Sequence, residues 1–522
     1  MGKYLLDPIK SFEEIRSNFI LYIKTAFGTR FKESENGTQN FESEREELLL
    51  KDQVLSREPW IEPLPSYKKK TDNDGQDVTI MDLKAEDLPG MSQKSIDLFK
   101  EFINTGLMSY PLYLHQYNML SQSLQGNDCV ITSGTGSGKT ESFLLPLFAD
   151  IFKEAAEWNA NSYQVNDWWN WPSVPETKFF DSNQQLPYSK SLSNKVLQRG
   201  NESRDAAVRA LIIYPMNALV EDQMTRLRKA LDSDEIQQFM DEKLKGNRIF
   251  FGRYNSETPV AGDFPYSSDP EEEKKLKRSR RFKIKRLQGI MKDLEDQSLE
   301  LQKWVESASD NEERKTREDQ KYTFQRLYGK DKRISSELRT RFDIQQTPPD
   351  ILITNYSMLA IMLMRTEENP IIEKTRVWLE GETNKESPTR IFHLIIDELH
   401  LNRGTSGTEI AYLMRLLIDR LGLTPDSKQL RILSSSASLE GSDAKSIEYL
   451  KDFFNREFDS SNIIEGNRVE SHQSYNKDSK IPTEPFISIQ KYYRENPDCF
   501  DQVKAGDSNH EVMCMWRHVI SL

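Results

Sequence analysis

Cysteine is scarce: the 522 residues hold three, Cys129, Cys499 and Cys514. They lie far apart and form no C-x-x-C pair, which argues against a zinc module and against a disulfide framework and implies a reducing, cytoplasmic setting. No apolar run reaches the length of a membrane span, and the first residues lack the basic-then-apolar order of a signal peptide, so no membrane partner is expected. Positive charge is not in excess either. Charged residues make up 30% and the net charge is −12, so the chain as a whole is no polycation and any nucleic-acid contact must come from local patches. The hydrophobic content of 36% can furnish a real core, and the length suits about two to four domains.

One stretch organises the rest, ITSGTGSGKTESFLLPL from Ile131 to Leu147. An apolar strand, DCVIT, runs into a glycine-rich turn that opens an apolar-periodic helix. Such a turn (Ser133, Gly134, Thr135, Gly136, Ser137, Gly138) lets successive backbone N–H groups converge where a helix N-terminus adds its partial positive charge. That locus suits a polyphosphate. Lys139 would reach its β- and γ-phosphates as a point charge, and the Thr140 hydroxyl would hold Mg²⁺. The strict G-x-x-x-x-G-K-[ST] string wants glycine where Ser133 stands, so the match is one residue short.

An amphipathic helix is expected from Ile9 to Phe27, a short one around Arg45 to Leu50, and another from Met91 to Asn104, with the proline-punctuated EPWIEPLPSY as an extended connector. Gln116, 23 residues before Lys139, carries the donor and acceptor that an adenine edge needs; otherwise it is a helix N-terminal residue facing solvent. Trp168, Trp169 and Trp171 lie in an insertion and read as a cluster pinning a long loop, with base stacking as the alternative. The run Lys274 to Arg286 is the most basic in the chain; acidic neighbours make a solvated helical face the default over a phosphate-binding arm.

Apolar strands alternate with helices at RALIIY, DILITNYSML, IFHLIIDELH and RILSSSASL, which predicts an α/β fold with a doubly wound parallel sheet. Ligands then sit at the carboxyl ends of strands. Asp397, ending one such strand, would hold Mg²⁺, and Glu398 would orient or deprotonate the water attacking the γ-phosphate. His400, Ser436 and Ser438 are candidates for coupling the nucleotide state to whatever the domain grips.

The order SGTGSGKT, YPMNALVEDQ, TNYSML, DELH and SAS resembles the first RecA-like domain of superfamily 2 helicases of the DEAD/DEAH-box type. Longer phrases are similar to large bacterial helicases related to the mitomycin-repair and fungal RecQ-like proteins. The resemblance implies a P-loop NTPase domain with Gln116 on adenine, Lys139, Thr140, Asp397 and Glu398 in the ATPase centre, and Asn217, Gly252, Arg253, Thr354 and Asn355 in segments that track a bound strand, DNA favoured over RNA. Ser436-Ala437-Ser438 stands where Ser-Ala-Thr is usual.

The same resemblance leads one to expect a second RecA-like domain, and nothing after Ser438 resembles its arginine segment. Residues 1–105 are therefore expected as a helical accessory region, 106–460 as the first RecA-like domain with insertions near 158–209 and 262–346, and 461–522 as an incomplete continuation. The expected function is the ATP-binding half of a nucleic-acid-dependent ATPase or helicase, partnered by a polypeptide carrying the other half. The alternative is an ATP-gated nucleic-acid-binding module without motor activity.

Overall fold

A computed structural model describes residues 8–26, 41–51, 66–134, 136–161, 168–170, 197–199, 202–215, 217–261, 267–402, 404–437, 439, 441 and 443–469. The chain divides into two compact units, one of Met1–Leu64 with Glu470–Leu522 and one of Pro65–Val469. In the first, the described residues form helices Pro8–Ala26 and Phe41–Leu50, joined by a hydrogen bond from Arg16 to the Leu50 carbonyl.

Among the described residues the second unit is built on eight strands: β1 (Cys129–Thr132), β2 (Ala210–Tyr214), β3 (Phe251–Arg253), β4 (Glu337–Leu338), β5 (Ile351–Asn355), β6 (Phe392–Ile396), β7 (Leu430–Ser436) and β8 (Ile463–Glu465). They form one sheet in the order β4-β3-β5-β2-β6-β7-β1-β8, with every pairing parallel. A parallel sheet must be covered on both faces, and the strand residues alternate accordingly. Ala210, Ile212 and Tyr214 of β2 enter one core, Leu211 and Ile213 the other. Helices Gln93–Phe102, Leu114–Leu124, Lys139–Ala155, Asn217–Asp232 and Asp234–Lys243 cover the first face. Helices Tyr356–Met364, Asn369–Glu380, Gly404–Arg420 and Ala444–Phe454 cover the second. This is a doubly wound α/β arrangement, and all strands deliver their carboxyl ends to one rim.

The opposite edge is held by buried charge. Asp350, fully buried just before β5, accepts from Arg204 Nη1 and Nη2 and from Arg209 Nη1, each at 2.7 Å, and from the Phe250 amide at 2.8 Å. Arg209 also grips Glu154 on the helix after β1. One carboxylate thus ties the starts of β2, β3 and β5 together.

Two expectations about boundaries change. The limit drawn at 105 falls inside the second unit, because Val78, Ile80, Leu83, Leu88, Ile96 and Phe99 share a core with Phe148 and Phe152. The limit at 460 is overrun by β8, which pairs with β1. Within the segment 262–346, a 37-residue helix, Pro270–Glu306, is followed by helix Asn311–Gln320, and the chain then returns β4 to the sheet edge. Trp169 is buried in a separate cluster with Leu287, Met291, Leu294, Leu327 and Phe342, and its indole donates to Glu295 at 2.9 Å. The side chain of Trp168, and Trp171 entirely, lie outside the described residues.

Candidate functional site

The glycine-rich turn leaves β1 at Thr132 and enters helix Lys139–Ala155. Gly136 and Gly138 have φ of +74° and +73°, a left-handed backbone that side chains rarely tolerate. A Cβ on Gly138 would also stand 2.3 Å from Gln116 Nε2. Ser133 is put to use where the strict pattern wants glycine: its hydroxyl lies 2.6 Å from that of Ser137, which donates to the Gly134 carbonyl at 2.9 Å. Thr135 lies outside the described residues.

Residues that sequence spacing did not single out brace this loop. The Gly134 amide donates to the Tyr67 hydroxyl at 3.0 Å. His115 Nε2 donates to the Ser137 carbonyl at 2.8 Å, and burial lowers the His115 pKa, which keeps the ring neutral for that role. Tyr67 packs edge-on against both His115 and Tyr113. Gln116 is fully buried, with Oε1 accepting from the Tyr113 amide at 3.0 Å and Nε2 donating to the Gly138 carbonyl at 3.3 Å. It therefore supports the turn from beneath and does not face solvent.

Strand β7 lies between β1 and β6 in the sheet, so the turn and the acidic pair face each other across it. Lys139 Nζ stands 3.2 Å from Glu398 Oε1. Ser435 of β7 donates to Asp397 Oδ1 and accepts from the Glu398 amide at 3.1 Å, so a serine next to the predicted Ser436 is the one that holds the acids. Burial raises the Asp397 pKa and the Glu398 charge adds to this, opposed by the Ser435 bond and Lys139. Glu398 has φ +52°, a left-handed conformation that costs a non-glycine residue about 1–2 kcal/mol. Such strain persists only where the surroundings over-determine it.

Thr140 is buried and accepts from Gln223 Nε2 at 3.3 Å. His400 Nδ1 lies 3.3 Å from Glu398 Oε2 and accepts from the Ala437 amide at 3.4 Å, linking the ends of β6 and β7. Ser436 is fully buried, and Ser438 lies outside the described residues. Among the described residues no three His, Cys, Asp or Glu cluster as a metal cage. One carboxylate and one hydroxyl fit a cation such as Mg²⁺, which keeps waters and takes other ligands from phosphate.

Farther along the rim, Arg253 is paired with Glu221 and, at 3.5 Å, with Glu257. A Cβ on Gly252 would meet the Leu338 carbonyl at 2.8 Å, so this glycine admits β4. Thr354 is fully buried and its hydroxyl donates to the Tyr254 carbonyl at 2.7 Å. Asn355 caps the next helix by accepting from the Met358 amide at 2.8 Å. Gly252 and Thr354 thus shape the rim without offering it a side-chain group. Asn217 begins a helix, and its side chain lies outside the described residues.

Residues 113–249 match the family model described as DEAD/DEAH box helicase. The chain is 28% identical over 491 residues to the Druantia protein DruE of Escherichia coli strain UMEA 4076-1, an alignment covering 90% of this chain and 22% of that protein. Similar solved structures include the DUF1998 helicase MrfA bound to DNA and AMPPNP, at 15% identity and a TM-score of 0.36, covering 88% of this chain and 40% of that one. Another is Mss116p bound to ssRNA and AMP-PNP, at 14% identity and a TM-score of 0.35, covering 86% and 56%. Among the described residues no helix is long and apolar enough to cross a membrane.

Proposed function

We propose that this chain, which carries a superfamily 2 DEAD/DEAH box helicase domain, is the ATP-binding part of a nucleic-acid-dependent ATPase whose hydrolysis needs a second RecA-like domain. The observation that carries the reading is the 3.2 Å ion pair between Lys139 and Glu398, two residues 259 positions apart that only this sheet order brings together.

ATP offers a triphosphate to the turn, and Lys139 then exchanges the Glu398 carboxylate for phosphate oxygens. Glu398 is thereby released to accept a proton from the attacking water. Thr140 and Asp397 would hold Mg²⁺, which when bound neutralises charge on the phosphates. Ser435 keeps Asp397 in place during this exchange, and His400, which accepts from the Ala437 amide at the end of β7, stands beside Glu398. Arg253 on the same rim supports a bound strand. DNA is the favoured partner.

The test uses titration of a fluorescent ATP analogue and phosphate release. Lys139→Ala is expected to lose ATP binding, because the triphosphate loses its cation. Glu398→Gln is expected to keep ATP but to block turnover, measured with nucleic acid and a second RecA-like domain added. Equal ATP affinity for Lys139→Ala and the wild type would overturn the assignment. Nucleotide-dependent strand binding without any turnover in the full mixture would favour a gate over a motor.

A further inference from the structure

The rim beyond β3 opens into a cleft of about 420 Å³ between the loop following that strand and helix Pro270–Glu306. The cleft lies on the same carboxyl rim as the glycine-rich turn, five strand spacings from β1, on the order of 24 Å. One wall carries Phe282, Lys283 and Arg286 from the most basic stretch of the chain, and the other carries Thr258, Val260 and Arg341.

The two walls are fixed to each other. Phe342 and Leu287 belong to one buried cluster, so the segment after Arg341 and the helix after Arg286 share a floor. The loop wall is rigid as well. Val260 has φ +52°, an outlying conformation for a β-branched residue, and is held by bonds from the Arg341 and Phe342 amides to the Pro259 and Val260 carbonyls, each 2.9 Å. Thr258 donates to the Arg253 carbonyl at 3.0 Å, which joins the loop to the end of β3. Arg341 is aimed by its own bond to the Asn255 carbonyl at 2.9 Å.

The contents of the cleft point to one chemistry. Phe282 is 69% exposed, an aromatic ring left in water on a helical face of lysines and arginines. Glu257, the carboxylate at the cleft, is engaged by Arg253 at 3.5 Å, which leaves the opening positive in balance. Guanidinium groups flanking an exposed ring suit phosphates flanking a base.

We propose that this cleft binds single-stranded nucleic acid, with a base stacked on Phe282 and adjacent phosphates on Arg286 and Arg341. The proposal rests on the nucleic-acid reading of the rim given above and extends that path outward onto the insertion. DNA and RNA present the same phosphate and base chemistry here.

The experiment is fluorescence anisotropy of the full chain with a labelled 20-nucleotide DNA and an RNA of the same sequence, over a salt series. Phe282→Ala is expected to weaken binding about five- to 160-fold with the salt slope unchanged, the range for loss of one stacked base. Phe282→Trp is expected to restore it. Arg286→Ala is expected to reduce the slope of log affinity against log salt by about 0.7, one phosphate contact on a single strand. ATP affinity and melting temperature should stay at wild-type values, since both side chains are exposed. A loss confined to DNA or to RNA identifies which polymer the cleft serves and supports the contact. If the wild type binds both oligonucleotides and neither alanine variant changes affinity or slope, the cleft is not a contact, and the rim reading stands without it. If the wild type binds neither, the nucleic-acid reading itself falls and takes this contact with it.

Discussion

The Ser435 hydroxyl donates to Asp397 and accepts from the Glu398 amide, so one small group orders both acids of the candidate site. A hydrogen bond to a charged group contributes about 1.5–3 kcal/mol, and its loss would leave a buried carboxylate short of a partner. Ser435→Ala is therefore expected to lower unfolding stability in urea by about that amount. It should also shrink the gain in ATP affinity that Mg²⁺ confers, while ATP binding without Mg²⁺ is unchanged. A melt and a Mg²⁺ dependence both like wild type would remove Ser435 from the site. Lys139, Asp397 and Glu398 are legible in the sequence because each sits in a short string at a strand end. Ser435 is not, since 434 to 436 are all serine. Only the register, which pairs Ser434 with Ile396, sets Ser435 level with Asp397. Tyr67 is hidden for a different reason: it reaches Gly134 from 67 residues away, and no local pattern marks it.

At the scale of elements, the sheet's amino edge depends on Asp350. Burial pushes its carboxyl up, but Arg199, Arg204 and Arg209 outweigh this and hold it well below the ordinary carboxylate range. A depressed pKa stabilises the fold fully above the unfolded value near 3.8, and that contribution is lost as pH falls towards the folded value. Asp350→Asn leaves buried guanidinium groups without their anion, which typically costs about 3–5 kcal/mol. The variant is expected to show that loss in urea melts at pH 7, and a gap to wild type that narrows as the pH falls below 4. A constant gap from pH 7 to pH 3 would show that the charge of Asp350 is not what matters. The five longer strands of this sheet are legible as short apolar runs ending in polar residues. Strands β4 and β8, of two and three residues, are not, because so few positions carry no alternation and edge pairing alone defines them. The helix Pro270–Glu306 is legible as a charged helical stretch, but its docking through Trp169 and Phe342 depends on partners 118 or more positions before and 51 or more after its own residues Leu287 to Met291 and is invisible locally.

For the whole molecule, one parallel sheet among the described residues carries both the glycine-rich turn on β1 and the cleft beyond β3. Two sites on the same sheet can be filled together, but their spacing is set by the strands between them, so grip at one cannot advance relative to grip at the other. Directional movement needs a second body whose distance from this one changes with the nucleotide. Under the proposed function, hydrolysis has the same requirement. An arginine donated to the γ-phosphate is worth about 10³ to 10⁵ in rate in P-loop NTPases, and in the proposed site Lys139 serves the phosphates from this side. Residues 1–522 assayed by themselves are therefore expected to bind Mg²⁺-ATP weakly and to bind a strand, with negligible unwinding. Addition of a polypeptide bearing a second RecA-like domain should raise strand-stimulated phosphate release by about 10³ or more. A forked-duplex assay with and without that polypeptide checks the outcome, and robust strand separation by residues 1–522 alone would mean that a single sheet can supply both the arginine and the step.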